Sequence, residues 1–376
     1  MTTTQSEARG DESVRRIIPL SSADIGAAER KQVEAAIEGG WISGTGPQVR
    51  ELERRLAVRI NRAHVIATAN GTLAIELALR ALDIGHDDEV VVPALTFAAP
   101  ASSVLAVGAT PVLADVARDH WTLNADDVAR KISRRTKAIL AVDVLGHPSD
   151  YDALSQFGVP IIEDAAEAHG AQYKGRPVGS FGIISIFSFH ANKAITTGEG
   201  GCAATDSAEL ADRMRVIANH GMRPERPYVH EVIGRNHRMT NLAAAVGLGQ
   251  VERWDDLIAA RNHIATEYDR LLEGAGCVPR PVARWAQYSC WLHTIIVGKR
   301  EEVLAYVRGR GVDARAIWPA LSTQPLFGAG DGGFPVAESV AQQAMWLPTF
   351  SGMPAEDVGF VAETVRQAIV HTSGCR

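Results

Sequence analysis

The sequence is poor in cysteine and has no long apolar run. Its four cysteines lie far apart, at Cys202, Cys277, Cys290 and Cys375. Because there is no CxxC pair and no cluster of histidine and cysteine, we predict no metal site and interpret the cysteines as free thiols in a reducing cytoplasm. No stretch approaches the ~20 apolar residues of a membrane helix, so no membrane partner is expected.

An excess of positive charge is also absent. Over 376 residues the formal net charge is -6, and lysine and arginine form no run. This balance excludes a general nucleic-acid-binding protein, whereas anionic small molecules, which need only local donors, remain possible ligands. A hydrophobic content of 46% over this length suits two domains, or one large domain with a small one appended.

Short apolar runs alternate with helical patterns between about residues 60 and 205. The apolar runs occupy 64–68, 89–93, 110–116, 137–144 and 159–164. Such alternation predicts an α/β fold with a mostly parallel sheet covered by helices on both faces. Ligands of such sheets bind at the carboxyl ends of the strands. Polar or aromatic candidates follow the runs at those ends, at Thr72, Phe97 and Asp164.

The rest of the chain predicts the domain organisation. Residues 1–16 are polar and lack the apolar core of a signal peptide, so we expect a disordered arm. Residues 242–272 read as a long amphipathic helix, broken near Trp254, and the GAG at 274–276 ends it. We therefore predict a large domain over 17–273 and a smaller α+β domain over 274–376.

Lys193 has an unusual setting for a lysine. It stands in FSFHANKAITTGEGG (187–201), between an aromatic run and small residues, with no acidic neighbour before Glu199. Poor hydration and a closely packed backbone favour the uncharged amine that covalent chemistry requires. The window alone is equally compatible with an ordinary lysine in a strand-to-loop connection.

ATANGTLAIEL (67–77) predicts a strand, a tight turn and a helix. The first amides of such a helix have no internal partner, and the helix dipole is positive there. A phosphate could therefore bind the amides of Gly71, Thr72 and Leu73, with the Thr72 hydroxyl as a further donor. Plain helix capping by asparagine and threonine is the alternative.

Further candidates are individually weak. Asp164 ends the apolar strand of IIEDAAEAHG and either faces a cation or caps the next segment. Phe97 could stack on a flat ring or belong to the core, and Ser188 could donate to a phosphate or to the backbone. His169 and His190 are either acid–base groups or structural histidines.

The order of these candidates is more informative than any one of them. A phosphate-binding turn, a stacking aromatic, a strand-end aspartate and a later lysine are the parts that hold pyridoxal 5′-phosphate (PLP). The turn binds the phosphate and the aromatic covers the ring. The aspartate keeps the pyridine nitrogen protonated, and the lysine forms the Schiff base.

Over nearly its whole length the chain resembles the DegT/DnrJ/EryC1/StrS sugar aminotransferases, which are fold-type-I PLP enzymes. The resemblance is carried by WISGTGPQVRELE (41–53), NGTLAIELAL, IIEDAAEAHGA, FSFHANKAITTGEGG, GRNHRMTNLAAAVGLGQVER (234–253) and FPVAESVAQQAMWLP (334–348). The family's fold is a large PLP-binding domain with a mostly parallel mixed sheet and a smaller C-terminal domain.

The resemblance implies roles for residues at matching positions. It implies that Lys193 is the Schiff-base lysine and that Asp164 is the partner of the pyridine nitrogen. The remaining cofactor-binding positions that it implies are Gly71, Thr72, Leu73, Phe97, Glu167, Ser188 and Asn236. Asn236 would reach the phosphate of a neighbouring subunit, which implies a homodimer with shared sites. The substrate-binding positions that it implies are Ser43, Gly44, His190 and Arg238.

Three departures from the family pattern stand near the site. Glu167 replaces the usual glutamine beside the ring hydroxyl, so we expect its carboxyl group to be protonated or turned aside. Asp143 stands where histidine is common, and Arg235 and His237 flank Asn236 where aromatic residues are more usual. These changes do not affect the prediction of PLP as cofactor, but they make the motifs less informative about which substrate is bound.

The function implied is transfer of an amino group from L-glutamate to a nucleotide-linked ketosugar in deoxyaminosugar biosynthesis, in the cytoplasm. The motifs look most like the perosamine-type branch, which aminates C4 of a 4-keto-6-deoxyhexose. A C3 ketosugar or an inosose is the nearest rival acceptor. A PLP sugar dehydratase is disfavoured because the related dehydratases replace the lysine with histidine, and a non-catalytic sensor is disfavoured by the intact set of candidate residues.

Overall fold

The computed structural model describes residues 17–328 and 333–374, and the predicted arm over 1–16 lies outside the described residues. The helices are α1 (Ala27–Glu38), α2 (Pro47–Arg59), α3 (Gly71–Ala81), α4 (Ala99–Ala106), α5 (Ala125–Lys131), α6 (Tyr151–Ser155), α7 (Ala208–Ala218), α8 (Asn241–Glu252), α9 (Trp254–Leu271), α10 (Arg300–Arg308), α11 (Pro335–Gln343) and α12 (Ala355–Gly374).

Strands alternate with these helices in the first part of the chain. They are β1 (His64–Thr68), β2 (Glu89–Pro93), β3 (Thr110–Ala114), β4 (Thr136–Val142), β5 (Ile161–Asp164), β6 (Gln172–Tyr173), β7 (Arg176–Pro177), β8 (Ile184–Ser188), β9 (Gly201–Thr205), β10 (Val278–Pro279), β11 (Ala286–Gln287), β12 (Thr294–Ile296), β13 (Arg315–Ala316) and β14 (Ala344–Trp346). The apolar runs read from the sequence are confirmed as β1 to β5.

The main sheet has seven strands in the order β1-β9-β8-β5-β4-β2-β3. Only β9 runs antiparallel to its neighbours, so the sheet is mixed and mostly parallel, as predicted. Strand β2 shows why both faces are covered. Val90 and Val92 pack into one apolar core and Val91 packs into another, because successive side chains of a strand point to opposite faces.

The predicted long helix is broken where the sequence indicated. α8 ends at Glu252 and α9 begins at Trp254, with Arg253 between them. α9 contributes to two cores: Trp254 and Leu257 join the core beneath the main sheet, and Tyr268 joins the C-terminal core. The helix therefore connects the main sheet to the C-terminal part of the chain.

The C-terminal part is built on an antiparallel sheet in the order β10-β12-β14-β13, which packs with α10 and α12. Ile18 pairs with Val312 and joins the same core, although it lies at the start of the described chain. The domain boundary at Gly274 thus remains a prediction. Among the described helices, none has the combined length and apolar character needed to cross a bilayer.

Candidate active site

A cavity of about 480 Å³ opens at the carboxyl ends of the parallel strands. Asp164 ends β5 and Ser188 ends β8, and these two strands are adjacent and parallel. Their last residues therefore meet at one edge of the sheet. Eight predicted site residues line the cavity: Gly71, Thr72, Phe97, Asp164, Glu167, Ser188, His190 and Lys193.

Lys193 directs its amine into this cavity. The side chain is 10% exposed, and Nζ lies 3.4 Å from Oε1 of Glu167. Burial lowers the pKa of Lys193, while the carboxylates of Glu167 and Asp164 act in the opposite direction. The lysine is thus poorly hydrated, as its sequence context indicated.

Asp164 is a buried carboxyl group beside that amine. Burial raises its pKa to about 7, and the amide of Ala166, which donates to Oδ1 at 3.0 Å, lowers it. Asp164 therefore caps the next segment, which was one of the two roles considered for it, and it also lines the cavity, where it could face a cation, which was the other. A cation placed opposite it in the cavity would stabilise the ionised form.

The turn before α3 is confirmed as a tight approach to β8. A Cβ atom on Gly71 would lie 2.9 Å from Cβ of Ser188, so only glycine fits here without a shift. The amide of Leu73 donates to Oδ1 of Asn70 at 2.9 Å, so it already has a partner in the helix cap, and its part in a phosphate site stays a prediction. The amides of Gly71 and Thr72 lie in the first turn of the helix and at the cavity.

Glu167 is not turned aside from the site. Its Oε2 accepts from the amide of Leu145 at 2.8 Å, while Oε1 faces Lys193. The amide therefore orients the carboxyl group toward the amine. Asp143, another departure from the family pattern, lies away from the cavity, where the amide of Ser149 and the hydroxyl of Tyr151 donate to it.

Phe97 and His190 occupy the more open side of the cavity. Phe97 is 53% exposed, so it is not a core residue, and its ring centroid lies 6.4 Å from that of Trp318. His190 contacts Oδ1 of Asn192 at 2.9 Å. His169, by contrast, is buried among aromatic rings away from the cavity, and burial lowers its pKa to about 3.

The remaining predicted residues form a second group that does not line the cavity. A Cβ atom on Gly44 would lie 2.8 Å from the carbonyl oxygen of Met239 and 3.0 Å from Cβ of Arg238. The amide of Arg238 donates to Oδ1 of Asn236 at 3.3 Å. Ser43 joins this group, since its carbonyl oxygen accepts from the amide of Asn241.

Sequence reasoning missed the wall contributed by the C-terminal part of the chain. Trp291, Trp318, Trp346 and Arg315 all line the cavity. Nζ of Lys193 lies 3.8 Å from the ring centroid of Trp291. The sequence carries no local signal for this contact, because Trp291 is 99 positions from Asn192, to which it is bonded.

These residues fit PLP. The close approach of Gly71 to Ser188 at the start of α3 provides amide and hydroxyl donors for a phosphate. The buried carboxyl group of Asp164 would gain from a protonated ring nitrogen, and the buried amine of Lys193 is suited to covalent attachment. The exposed ring of Phe97 borders the same space.

Known proteins are similar to this chain over nearly its whole length. It is 33% identical to a GDP-perosamine synthase of Escherichia coli O157:H7, with 94% of this chain and 98% of that protein covered. It is 36% identical to a GDP-perosamine synthase of Caulobacter vibrioides, again with 94% and 98% covered.

A solved structure agrees. The Streptococcus pneumoniae protein described as the sugar aminotransferase Spr1654, in its PMP form, matches with a TM-score of 0.89 and 29% identity, over 95% of this chain and 99% of that one. The fold is thus that of the fold-type-I PLP enzymes. The sequence pattern of the DegT/DnrJ/EryC1/StrS aminotransferase family matches residues 23–366, and the chain belongs to this family.

Proposed function

We propose that this PLP-dependent sugar aminotransferase moves an amino group from L-glutamate to the C4 keto group of a nucleotide-linked 4-keto-6-deoxyhexose. The observation that carries the proposal is the meeting of Lys193, Asp164 and the Gly71 turn at one cavity. The similarity to two GDP-perosamine synthases supports a nucleotide sugar as acceptor and C4 as the position aminated.

The bound PLP supplies an electron sink for carbanion chemistry. Lys193 would act as the general base: its Nζ would take the α-proton of the amino donor and deliver a proton to C4′ of the cofactor. In the second half of the reaction it would take a proton from C4′ and deliver one to C4 of the sugar. Burial suits it for this role because it lowers the pKa of Lys193. Asp164 holds the proton on the pyridine nitrogen.

The other residues bind and orient. The amides of Gly71 and Thr72 and the hydroxyl of Ser188 hold the phosphate, and Phe97 covers one face of the ring. The amide of His190 donates to Oγ of Ser188 at 3.4 Å, which leaves the serine proton available for the phosphate. His190 lines the same cavity and would contact the sugar.

A homodimer with shared sites is part of the proposal. Large apolar side chains are exposed near both segments of the second group: Trp41 is 50% exposed and Ile42 is 57% exposed beside Ser43, and Ile233 is 86% exposed near Asn236. Burying them against a second copy would be favourable. Asn236 would then reach the phosphate in the other subunit, and Ser43, Gly44 and Arg238 would border the sugar-nucleotide entrance.

A cytoplasmic location belongs to the same proposal. It rests on the thiols, since Cys202 and Cys290 are buried and Cys277 is partly buried, and all three are free. Structural disulfides are rare in reducing compartments, and free buried cysteines are common there.

The test converts the protein to its pyridoxamine form with L-glutamate and then offers a panel of ketosugar nucleotides. Return of the visible absorption of the PLP form, with nitrogen at C4 of the product, is the expected result. Nitrogen at C3, or an inosose as the only acceptor, would replace the proposed substrate. Loss of a hydroxyl would indicate a dehydratase, and no reaction with glutamate or any acceptor would indicate a sensor.

Lys193→Ala should abolish both the visible band and turnover.

A further inference from the structure

The amine of Lys193 is held between a carboxylate and an aromatic face. Nζ lies 3.4 Å from Oε1 of Glu167 and 3.8 Å from the ring centroid of Trp291. An ammonium over an indole face is attracted by the negative charge density of the ring, and the attraction strengthens when water is excluded. Here the amine lies over the indole ring. Water is largely excluded from the contact, since the lysine side chain is 10% exposed and Trp291 is 4% exposed.

Trp291 is fixed in place by its surroundings. Its Nε1–H donates to the carbonyl oxygen of Asn192 at 2.9 Å, so the indole is bonded to the residue just before Lys193. The ring also stacks on Trp318 at 5.9 Å between centroids, and Trp346 meets it edge-on at 5.6 Å. The indole therefore cannot turn away from the lysine without breaking these contacts.

Arg261 on α9 connects the backbones of the two residues. Its Nη1 donates to the carbonyl oxygen of Trp291 at 2.7 Å, and its Nη2 donates to that of Lys193 at 3.1 Å. The guanidinium is 2% exposed. Two directed bonds from one planar group set the distance between the two chain segments. The approach of the amine to the indole is thus built into the packing of α9.

We propose that Trp291 is a positioning residue for Lys193, whose indole face holds the amine next to Glu167 each time Lys193 has taken up a proton and is not covalently bound. The inference rests on the proposed function, because it takes Lys193 as the reacting amine. That amine is free from its displacement by the amino donor until the end of the second half-reaction, and a long flexible side chain would otherwise sample several rotamers. The indole keeps it within reach of the reacting carbon and keeps it protonated when it must return a proton.

The charged groups around the amine set the direction of the expected effect. Burial lowers the pKa of Lys193, the carboxylates of Glu167 and Asp164 raise it, and the cation of Arg261 lowers it. The lysine charge also contributes to the lowered pKa of His169, which lies outside the cavity. An indole face favours the charged amine, so its removal should lower the pKa of Lys193 further.

The test uses the full-length protein in its pyridoxamine form, in which the lysine amine is free. The rate of acylation of Lys193 by an amine-specific acid anhydride is followed against pH, by mass spectrometry of the peptide that contains it. Trp291→Leu should lower the apparent pKa of Lys193 by about one unit, and Trp291→Phe, which keeps a weaker aromatic face, by about 0.4 unit. Trp285→Leu is the control, because it removes an indole that packs on His147 outside the cavity, and it should leave the titration unchanged.

A purely structural role would lower stability without moving this titration. An unchanged pKa in Trp291→Leu, or in Trp291→Phe if the leucine variant does not fold, overturns the proposal. So does an equal shift in Trp285→Leu. The readout needs no turnover, so failure of the proposed function is seen separately, as wild-type protein that aminates no ketosugar. In turnover, we expect kcat of Trp291→Leu to fall and its pH profile to shift, with KM for the ketosugar little changed.

Discussion

Gly71 and Ser188 are in such close contact that a methyl group on the glycine would lie 2.9 Å from Cβ of the serine. The contact joins the first residue of α3 to the last residue of β8. The proposed phosphate site lies where these two elements meet, so its geometry depends on the absence of a side chain at residue 71.

Gly71→Ala should therefore weaken PLP binding. The added methyl group must displace either the start of α3 or Ser188, and overpacking of this kind costs about 1–3 kcal/mol. We expect the PLP dissociation constant to rise by about fivefold to about a hundredfold, measured by titration of the cofactor-free protein. Gly359→Ala in α12 is the control, because no atom lies within 4 Å of its added Cβ. Equal affinity in Gly71→Ala and wild type would contradict the proposed cradle.

Asp164 should make the cofactor-free protein less stable as the pH rises. Its pKa is raised from 3.8 to about 7, so the folded state binds the proton more tightly than the unfolded state does. The stabilising contribution is complete below pH ~4 and is lost as the pH rises through about 7, at a cost of up to about 4 kcal/mol. Asp164→Asn, which does not titrate, should lack this loss.

The measurement is the free energy of unfolding by urea at several pH values from 4 to 8, for both cofactor-free proteins. The difference between them should grow with pH in favour of Asp164→Asn. Bound PLP should reduce the difference, because a protonated ring nitrogen favours the ionised carboxyl group. Parallel pH curves for the two proteins would show that the carboxyl group is not desolvated as described.

Glu167→Gln should leave the enzyme active and shift its pH dependence. Glutamine keeps an oxygen for the amide of Leu145 and removes the carboxylate that raises the pKa of Lys193. The pKa of Lys193 should therefore fall, and the acidic limb of the kcat profile should move to lower pH. Glu199→Gln is the matched control, since Glu199 lines the same cavity but pairs with His190 at 3.7 Å. If the pH profile shifted in Glu199→Gln but not in Glu167→Gln, the carboxylate that raises the pKa of Lys193 would be Glu199, and the prediction would be wrong.

Mixed dimers should test the proposed sharing of sites. Lys193→Ala and Asn236→Ala are each expected to form impaired homodimers. If Asn236 acts in the other subunit, a heterodimer of the two variants carries one site with both defects and one with none. After random mixing in equal amounts, about half of the dimers are heterodimers, and one of the two sites in each heterodimer is intact. About a quarter of all sites, and therefore about a quarter of wild-type activity, should be restored. Activity that stays at the average of the two unmixed variants would mean that Asn236 serves its own subunit or none.

The local elements were readable from the sequence because their causes are local. The run at 89–93 predicted β2, and the pattern over 242–272 predicted α8, α9 and the break between them. Strand β9 was not predicted. Its direction could not be predicted either, since nothing in residues 201–205 indicates that the strand is antiparallel to its neighbours. Direction within a sheet depends on the connections, which periodicity does not describe.

The residues of the candidate site likewise fall into those with a local signal in the sequence and those without one. Asp164 and Gly71 were found because strand ends and helix starts are local features with known chemistry. The involvement of the Leu73 amide stays a prediction, because the side chain of Asn70 accepts a hydrogen bond from that amide. Arg261 gave no signal, since an arginine in an amphipathic helix is normally exposed and this one is 2% exposed.

By itself, the sequence determined the alternation of strands and helices and the order of the proposed cofactor-binding groups, including the lysine proposed to react, because hydrophobic periodicity, turn residues and motifs act over a few neighbouring positions. The tertiary structure alone decided that Trp291, Glu167 and Arg261 surround that lysine. Their contacts join α9, the turn after β5 and the segment just before β12, and only the packing of these separate segments brings a carboxylate, an indole and a guanidinium to one amine.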